Sequence, residues 1–179
     1  MEPFPVLISI PHGGYKTPEE LKDRILLSKK DLFKDSDAFT QDIYDIGPAA
    51  FSVVTSDIAR AFVDVNRSPS DLPPENPDGL IKSHTCHDKK IYKAGMEPDK
   101  ELIRELLRKY YEPYYQKIRE TFDGGTMALG FDCHSMENIG PSTARDAGQK
   151  RPMICLGNLH GETCPDKTVE RLAECFIKA

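Results

Sequence analysis

No apolar stretch of this 179-residue chain approaches the roughly 18 residues that a membrane-crossing helix needs, and its start shows no signal-peptide pattern. No membrane partner is therefore expected. Like charges do not run together and there is no basic stripe. The 24 Lys and Arg against 29 Asp and Glu leave a net charge of −5, which argues against nucleic acid or an anionic surface as a partner. A disulfide framework is missing as well. Five cysteines, an odd number at irregular spacing, read as reduced thiols in a cytoplasmic protein. Repeats, low-complexity tracts and linkers are lacking, so residues 1–179 are expected to form a single domain. With 39% apolar and 30% charged residues, the chain is globular in composition and long enough to bury most of its apolar surface.

What stands out is three short motifs, each closing an apolar run: Ser9-Ile10-Pro11-His12-Gly13-Gly14, Val63-Asp64-Val65-Asn66-Arg67 and Phe131-Asp132-Cys133-His134-Ser135. The runs, 6–10, 61–65 and 127–131, are short and apolar enough to read as buried strands. In an open α/β sheet, ligands bind beyond the carboxyl ends of the strands. If the three strands are parallel neighbours, two histidines and an arginine converge on one site. That combination reads as a metal-dependent hydrolase acting on a carboxylate-bearing substrate.

Around these motifs the elements alternate. The spacing predicts a helix over 37–45, capped by Ser36 or Asp35, and strands over 51–55 and 61–65. Residues 68–79, rich in Pro, Asp and Ser, form a surface loop. Leu102, Ile103, Leu106, Leu107, Tyr110, Tyr114 and Ile118 fall at helical spacing, which predicts a long helix over 98–122 kinked at Pro113. A loop over 136–151, a strand over 152–156 and a closing helix from Asp166 to Lys178 complete an α/β chain.

His12 and His134 are the candidate metal ligands. The glycines after His12 allow close backbone approach to a ligand, and Asp132 is placed to orient His134 from behind. A catalytic zinc keeps three protein ligands, so a carboxylate is needed. Asp35 and Asp37 both offer one; Asp37 is preferred, because Asp35 serves equally well as a helix cap. Arg67, with Asn66 beside it, is the candidate clamp for a substrate carboxylate through a two-pronged hydrogen bond. Arg60 is placed to stabilise an oxyanion. The segment His84-Thr85-Cys86-His87 is a rival set of zinc-type ligands, with Cys155 and Cys164 as recruits, but its spacing matches no usual structural site. Cys133, at a strand end, reads as a small buried thiol rather than a nucleophile.

These residues resemble the N-formylglutamate amidohydrolases, a branch of the zinc carboxypeptidase superfamily. The resemblance rests on Ser9-Ile10-Pro11-His12, Asp35-Ser36-Asp37, Arg60 through Asp64-Val65-Asn66-Arg67-Ser68-Pro69, Tyr111-Glu112-Pro113-Tyr114 and Asp132-Cys133-His134-Ser135. A weaker match is Leu156-Gly157-Asn158 followed by Gly161-Glu162-Thr163-Cys164. It implies a single α/β domain with a mixed, mostly parallel sheet flanked by helices. It further implies one zinc per chain on His12, Asp37 and His134, substrate carboxylate held by Asn66 and Arg67, and Arg60 at the oxyanion. The implied reaction is N-formyl-L-glutamate to formate and glutamate, within histidine degradation. A carboxypeptidase-like metallopeptidase and a non-catalytic metal- or ligand-binding module are the alternatives. Two departures stand out. Tyr15 occupies the place of the carboxypeptidases' first acidic ligand, and the family continues past residue 179 into the strand that carries its general base. The expectation is a C-terminally incomplete domain with poor turnover, Glu137 and Glu162 being the nominees for a base within the chain.

Overall fold

The computed structural model describes residues 2–125 and 127–178. Its centre is a parallel sheet of three strands: β1 (Phe4–Ile10), β2 (Ala50–Thr55) and β3 (Leu129–Asp132), in the order β2-β1-β3. Ile10 lies opposite Thr55, and Ser9 opposite Asp132. The carboxyl ends of β1 and β3 therefore lie side by side, and the chain leaves both strands at the same edge of the sheet. A hydrogen bond from Cys133 N to Ser9 O (2.8 Å) carries the pairing one residue beyond β3.

Side chains alternate across the strands, so the sheet has an apolar layer on each face. Leu7 and Val54 join the main core with Leu21, Phe62, Leu80, Ile91, Leu106 and Tyr114. Ile8 and Ile10 point the other way, packing with Ala50 and Cys133 and with Tyr44 at their margin. Helices cover both faces: α1 (Lys29–Asp35) and α2 (Thr40–Tyr44) precede β2, while α3 (Lys100–Leu106) and α4 (Glu112–Asp123) precede β3.

The long helix expected over 98–122 exists in two parts. Asp99 caps α3 by accepting from Glu101 N (3.0 Å) and Leu102 N (2.9 Å). A π turn, Leu107–Tyr111, then separates α3 from α4. Pro113 sits in the first turn of α4, where its missing N–H costs little, so a widened turn stands where the kink was expected.

Three expectations are corrected. Residues 61–65 form turns rather than a strand: Phe62 N and Val63 N both bond to Ala59 O (2.9 and 3.4 Å). Every residue there is fully buried, and a short buried run has no periodicity to separate strand from turn. Residues 152–156 are irregular and open, with Met153 almost fully exposed. Asp35 and Ser36 do not begin a helix but end one. α1 carries a charged sequence in which only Leu32 and Asp35 are buried, so apolar spacing does not reveal it. Its signal is the Ser28/Asp31 capping box.

Helix α5 (Asp166–Lys178) forms as expected but holds no buried residue; Phe176 and Ile177 remain exposed.

Candidate metal centre

Two residues past β1, the chain turns through His12-Gly13-Gly14. A side chain at Gly14 would meet the Asp57 carbonyl carbon at 2.2 Å, so only glycine lets this turn lie against the segment after β2. Asp37 N bonds to His12 O (3.1 Å), bringing the α1–α2 connection onto the same turn. His134 comes just after β3, and Ser135 Oγ donates to Ala38 O (2.8 Å), tying that connection to Asp37's own segment.

The result is a group of three ligand atoms, from His12, Asp37 and His134, all within 4.8 Å of one another. Asp37 Oδ2 lies 2.7 Å from His134 Nδ1 and 3.5 Å from His12 Nδ1, and the two imidazole centroids are 4.9 Å apart. Among the described residues this is the one such grouping of His, Cys, Asp or Glu. The rival segment is occupied otherwise. His84 Nδ1 meets Ser83 Oγ (3.0 Å), and His87 Nε2 lies near Lys34 O (3.3 Å) and Glu137 (3.6 Å).

One atom tests whether a metal fits. His12 Nε2 is 2.6 Å from Asp64 Oδ1, which makes it the protonated nitrogen. His12 Nδ1 then carries the lone pair, and it is buried without a hydrogen-bond partner. An orphaned buried imidazole nitrogen facing a carboxylate and a second imidazole suits a divalent cation of the zinc type. His134 likewise has an aspartate behind its Nε2, although its Nδ1 already meets Asp37 Oδ2 at 2.7 Å. Asp132 Oδ2 lies 3.1 Å from its Nε2, and Ser9 Oγ holds that aspartate by donating to Oδ1 (2.7 Å), while Tyr114 OH touches Ser9 Oγ (2.6 Å). The partner for His134 anticipated in the sequence, Asp132, is thus where it was expected. Burial alone would lower the pKa of His134, but Asp132 and Asp37 together raise it to about 9 in the metal-free protein. Burial would raise the Asp37 carboxyl; His12, His134 and Arg60 instead hold it well below the usual range.

Arg60 reaches this group. Its NH1 is 3.4 Å from Asp37 Oδ1 and its NH2 3.6 Å from Asp64 Oδ2, while its Nε is buried and unpartnered. Asn66 Nδ2 stands 3.1 Å from His134 Nε2. Arg67 faces a different neighbour: Nε donates to Asp78 O (3.1 Å) and NH2 to Asp78 Oδ2 (3.3 Å). The turn carrying both residues is held by tyrosines, with Tyr115 OH donating to Val65 O (2.8 Å) and Tyr111 OH to Arg67 O (3.0 Å).

Asp35 is not in the group; its Oδ1 accepts from Cys86 N (2.7 Å). The structure thus separates the two acids that the sequence left open, Asp37 beside both histidines and Asp35 beneath the 84–89 loop. Glu137 pairs with His87, Glu162 is exposed, and neither is bonded to a member of the triad. Burial pushes the Cys133 thiol up to about 11, in keeping with a small buried thiol rather than a thiolate nucleophile.

Two charged residues at the site had gone unassigned. Asp64, fully buried, orients His12; its signal was an acid inside an apolar run, which must find a partner. Lys82, also fully buried, faces Asp64 and gave no comparable signal.

Comparison with known proteins gives a consistent answer. Residues 4–179 match the family described as N-formylglutamate amidohydrolase. The chain belongs to this family. A curated relative, the N-formylglutamate deformylase of Pseudomonas putida, is 27% identical over 176 residues, which are 94% of this chain and 64% of that protein. The chain thus spans under two thirds of that relative's length. The crystal structure of N-formylglutamate amidohydrolase from Ralstonia eutropha JMP134 superposes with a TM-score of 0.72 at 21% identity, covering 95% of this chain and 67% of the other. That likeness shows the fold, in agreement with the α/β class expected from the sequence.

Proposed function

We propose that this chain is a zinc-dependent hydrolase of small N-acyl amino acids, with N-formyl-L-glutamate as substrate and formate and glutamate as products. The observation that carries the metal part is the orphaned, buried Nδ1 of His12 beside Asp37 and His134. Family membership and the Pseudomonas putida relative's name support the substrate.

His12, Asp37 and His134 would hold the ion, which when bound supplies a Lewis acid for the acyl carbonyl and for water. Asp64 keeps His12 in the tautomer that offers Nδ1, and Asp132 stands behind Nε2 of His134 to orient that ring. Arg60 supplies guanidinium N–H donors for the oxyanion that develops on the formyl oxygen. Arg67, with Asn66 beside it, takes the substrate carboxylate once it leaves Asp78; a planar fork matches two carboxylate oxygens.

The reading is tested by adding zinc to the purified chain and measuring bound metal and formate release from N-formyl-L-glutamate, with dipeptides as competitors. One zinc per chain is expected, with formate release slow in the chain as given and lost altogether in His134→Ala. Preference for dipeptides would favour a peptidase, and metal without turnover a binding module.

A further inference from the structure

Lys82 takes no part in the chemistry above, yet among the described residues it is one of the largest fully buried side chains. A buried ammonium is strongly disfavoured unless it meets counter-charge. Lys82 meets two carboxylates of opposite character. Its Nζ lies 3.0 Å from Asp64 Oδ2, as a close ion pair outside hydrogen-bonding geometry, and it donates to the Asp78 carboxylate. Asp64 is fully buried, whereas the Asp78 side chain is 70% exposed. Leu80 and Ile81 anchor the strap that carries Lys82, and Leu80 O accepts from Asp64 N (2.8 Å).

The two oxygens of Asp64 divide their labour. Oδ1 accepts from His12 Nε2 (2.6 Å) and Asn66 N (3.0 Å); Oδ2 faces only cations, Lys82 at 3.0 Å and Arg60 at 3.6 Å. Arg60 also answers Asp37, and Lys82 also answers Asp78, but Lys82 is the nearer of the two cations to Asp64. An ionised Asp64 accepts the Nε2–H of His12 and leaves Nδ1 bare. An Asp64 displaced from Nε2 would leave the ring proton free to sit on Nδ1, where it blocks that atom as a ligand.

We propose that Lys82 is a positioning residue of the metal centre: it holds the Asp64 carboxylate in place against His12 Nε2, and so fixes which His12 nitrogen is open to metal. Through Asp78 the same ammonium reaches the carboxylate that holds Arg67, linking the metal half of the site to its carboxylate-binding half. This inference rests on the zinc reading, although half of its test needs no metal.

The experiment compares wild type with Lys82→Met, Asp64→Asn and the double variant in the full chain. Zinc affinity is read by competition with a chelating indicator, and the His12 tautomer by 15N shifts in metal-free protein. Lys82→Met should weaken zinc binding roughly 10–100-fold, the range for removing an outer partner of a metal ligand, and reduce the Nε2–H tautomer of His12. In the Asp64→Asn background, Lys82→Met should change zinc affinity by less than about twofold, because its route to the metal is gone. Unchanged zinc affinity and tautomer in Lys82→Met overturn the proposal, as does an equal loss in both backgrounds. If Lys82→Met fails to fold while the double variant folds, Asp64 was the charge it served, which supports the proposal; failure of both makes Lys82 a packing residue alone and overturns it. A wild-type chain that binds no zinc sinks the zinc reading instead, and the tautomer measurement then decides the inference.

Discussion

The two halves of the candidate site both pair acids with bases but differ in how water reaches them. On one side His12, Asp37, Asp64 and Lys82 are all buried. On the other, Arg67 meets an Asp78 side chain that is 70% exposed. In the buried half each charge is answered within the protein, because an unanswered one would carry a heavy desolvation cost. Burial alone would push the Asp64 carboxyl up; the His12 hydrogen bond with Lys82 and Arg60 holds it well below the usual range. In the open half the Arg67–Asp78 pair is solvated and weak. Rigidity would suit the proposed metal cage, whose ligand atoms must be fixed. Weak pairing would suit the proposed clamp, which has to exchange an internal carboxylate for one on a substrate.

The hardest break of this contrast is His12→Ala or His134→Ala, each of which should abolish zinc retention by opening a three-ligand site. The His84→Ala, His87→Ala pair should leave it intact, since those rings contact Ser83, Lys34 and Glu137. Zinc lost from the second protein and kept in the first would place the metal in the wrong half of the molecule.

Arg60 belongs to the buried half, paired with Asp37 and Asp64, while its Nε has no partner. Arg60→Ala should therefore lower kcat by roughly 2–4 kcal/mol of barrier, the cost of one oxyanion donor, with KM little changed. A rise in KM alone would make it a binding residue.

In the open half the effects shrink. Arg67→Lys keeps the charge but loses the fork, so KM should rise while zinc affinity holds. Asp78→Asn should lower KM by at most about 1 kcal/mol in binding, the ceiling for an exposed ion pair, because the substrate carboxylate then meets a freed Arg67. If Asp78→Asn raised KM instead, that aspartate would be orienting Arg67 rather than occupying it.

How much of this was legible in the sequence tracks the same divide. β1, β2 and β3 announced themselves as apolar runs, and the parallel order placed His12 and His134 together because each lies two residues past a neighbouring strand. Residues 61–65 have the same composition but form buried turns. Burial on every side erases the alternation that distinguishes a strand. Residues 152–156 show the opposite failure, since their apolar composition finds nothing to pack on. Asp37 could be preferred over Asp35 by local argument, but only the fold shows Asp35 turned to Cys86 N. Lys82 was illegible: a lysine after Leu80-Ile81 is ordinary at a surface, and nothing local says that Asp64 and Asp78 converge on it.

The smallest expected effect lies outside both halves, at the start of α1. Ser28 Oγ accepts from Asp31 N (3.3 Å), and the Asp31 carboxylate accepts from Ser28 N (2.8 Å) and Lys89 Nζ (2.6 Å). Ser28→Ala removes the cap hydroxyl and should cost roughly 1 kcal/mol of stability. It should leave zinc affinity unchanged, because Asp37 is tethered separately, through its own N–H to His12 O. The acid dependence of the loss has a definite sign. Lys89 first, then Ser28, hold the Asp31 carboxyl well below its ordinary value. A depressed carboxylate contributes its stabilisation above the unfolded pKa, about 3.9, and loses it as pH falls through the folded value. The difference between wild type and Ser28→Ala in denaturant should therefore be constant from neutral pH down to about 4 and narrow only in stronger acid. A gap that closed between pH 7 and 5 would mean that a group other than Asp31 sets it, and a drop in zinc affinity would mean that α1 and the metal cage move as one.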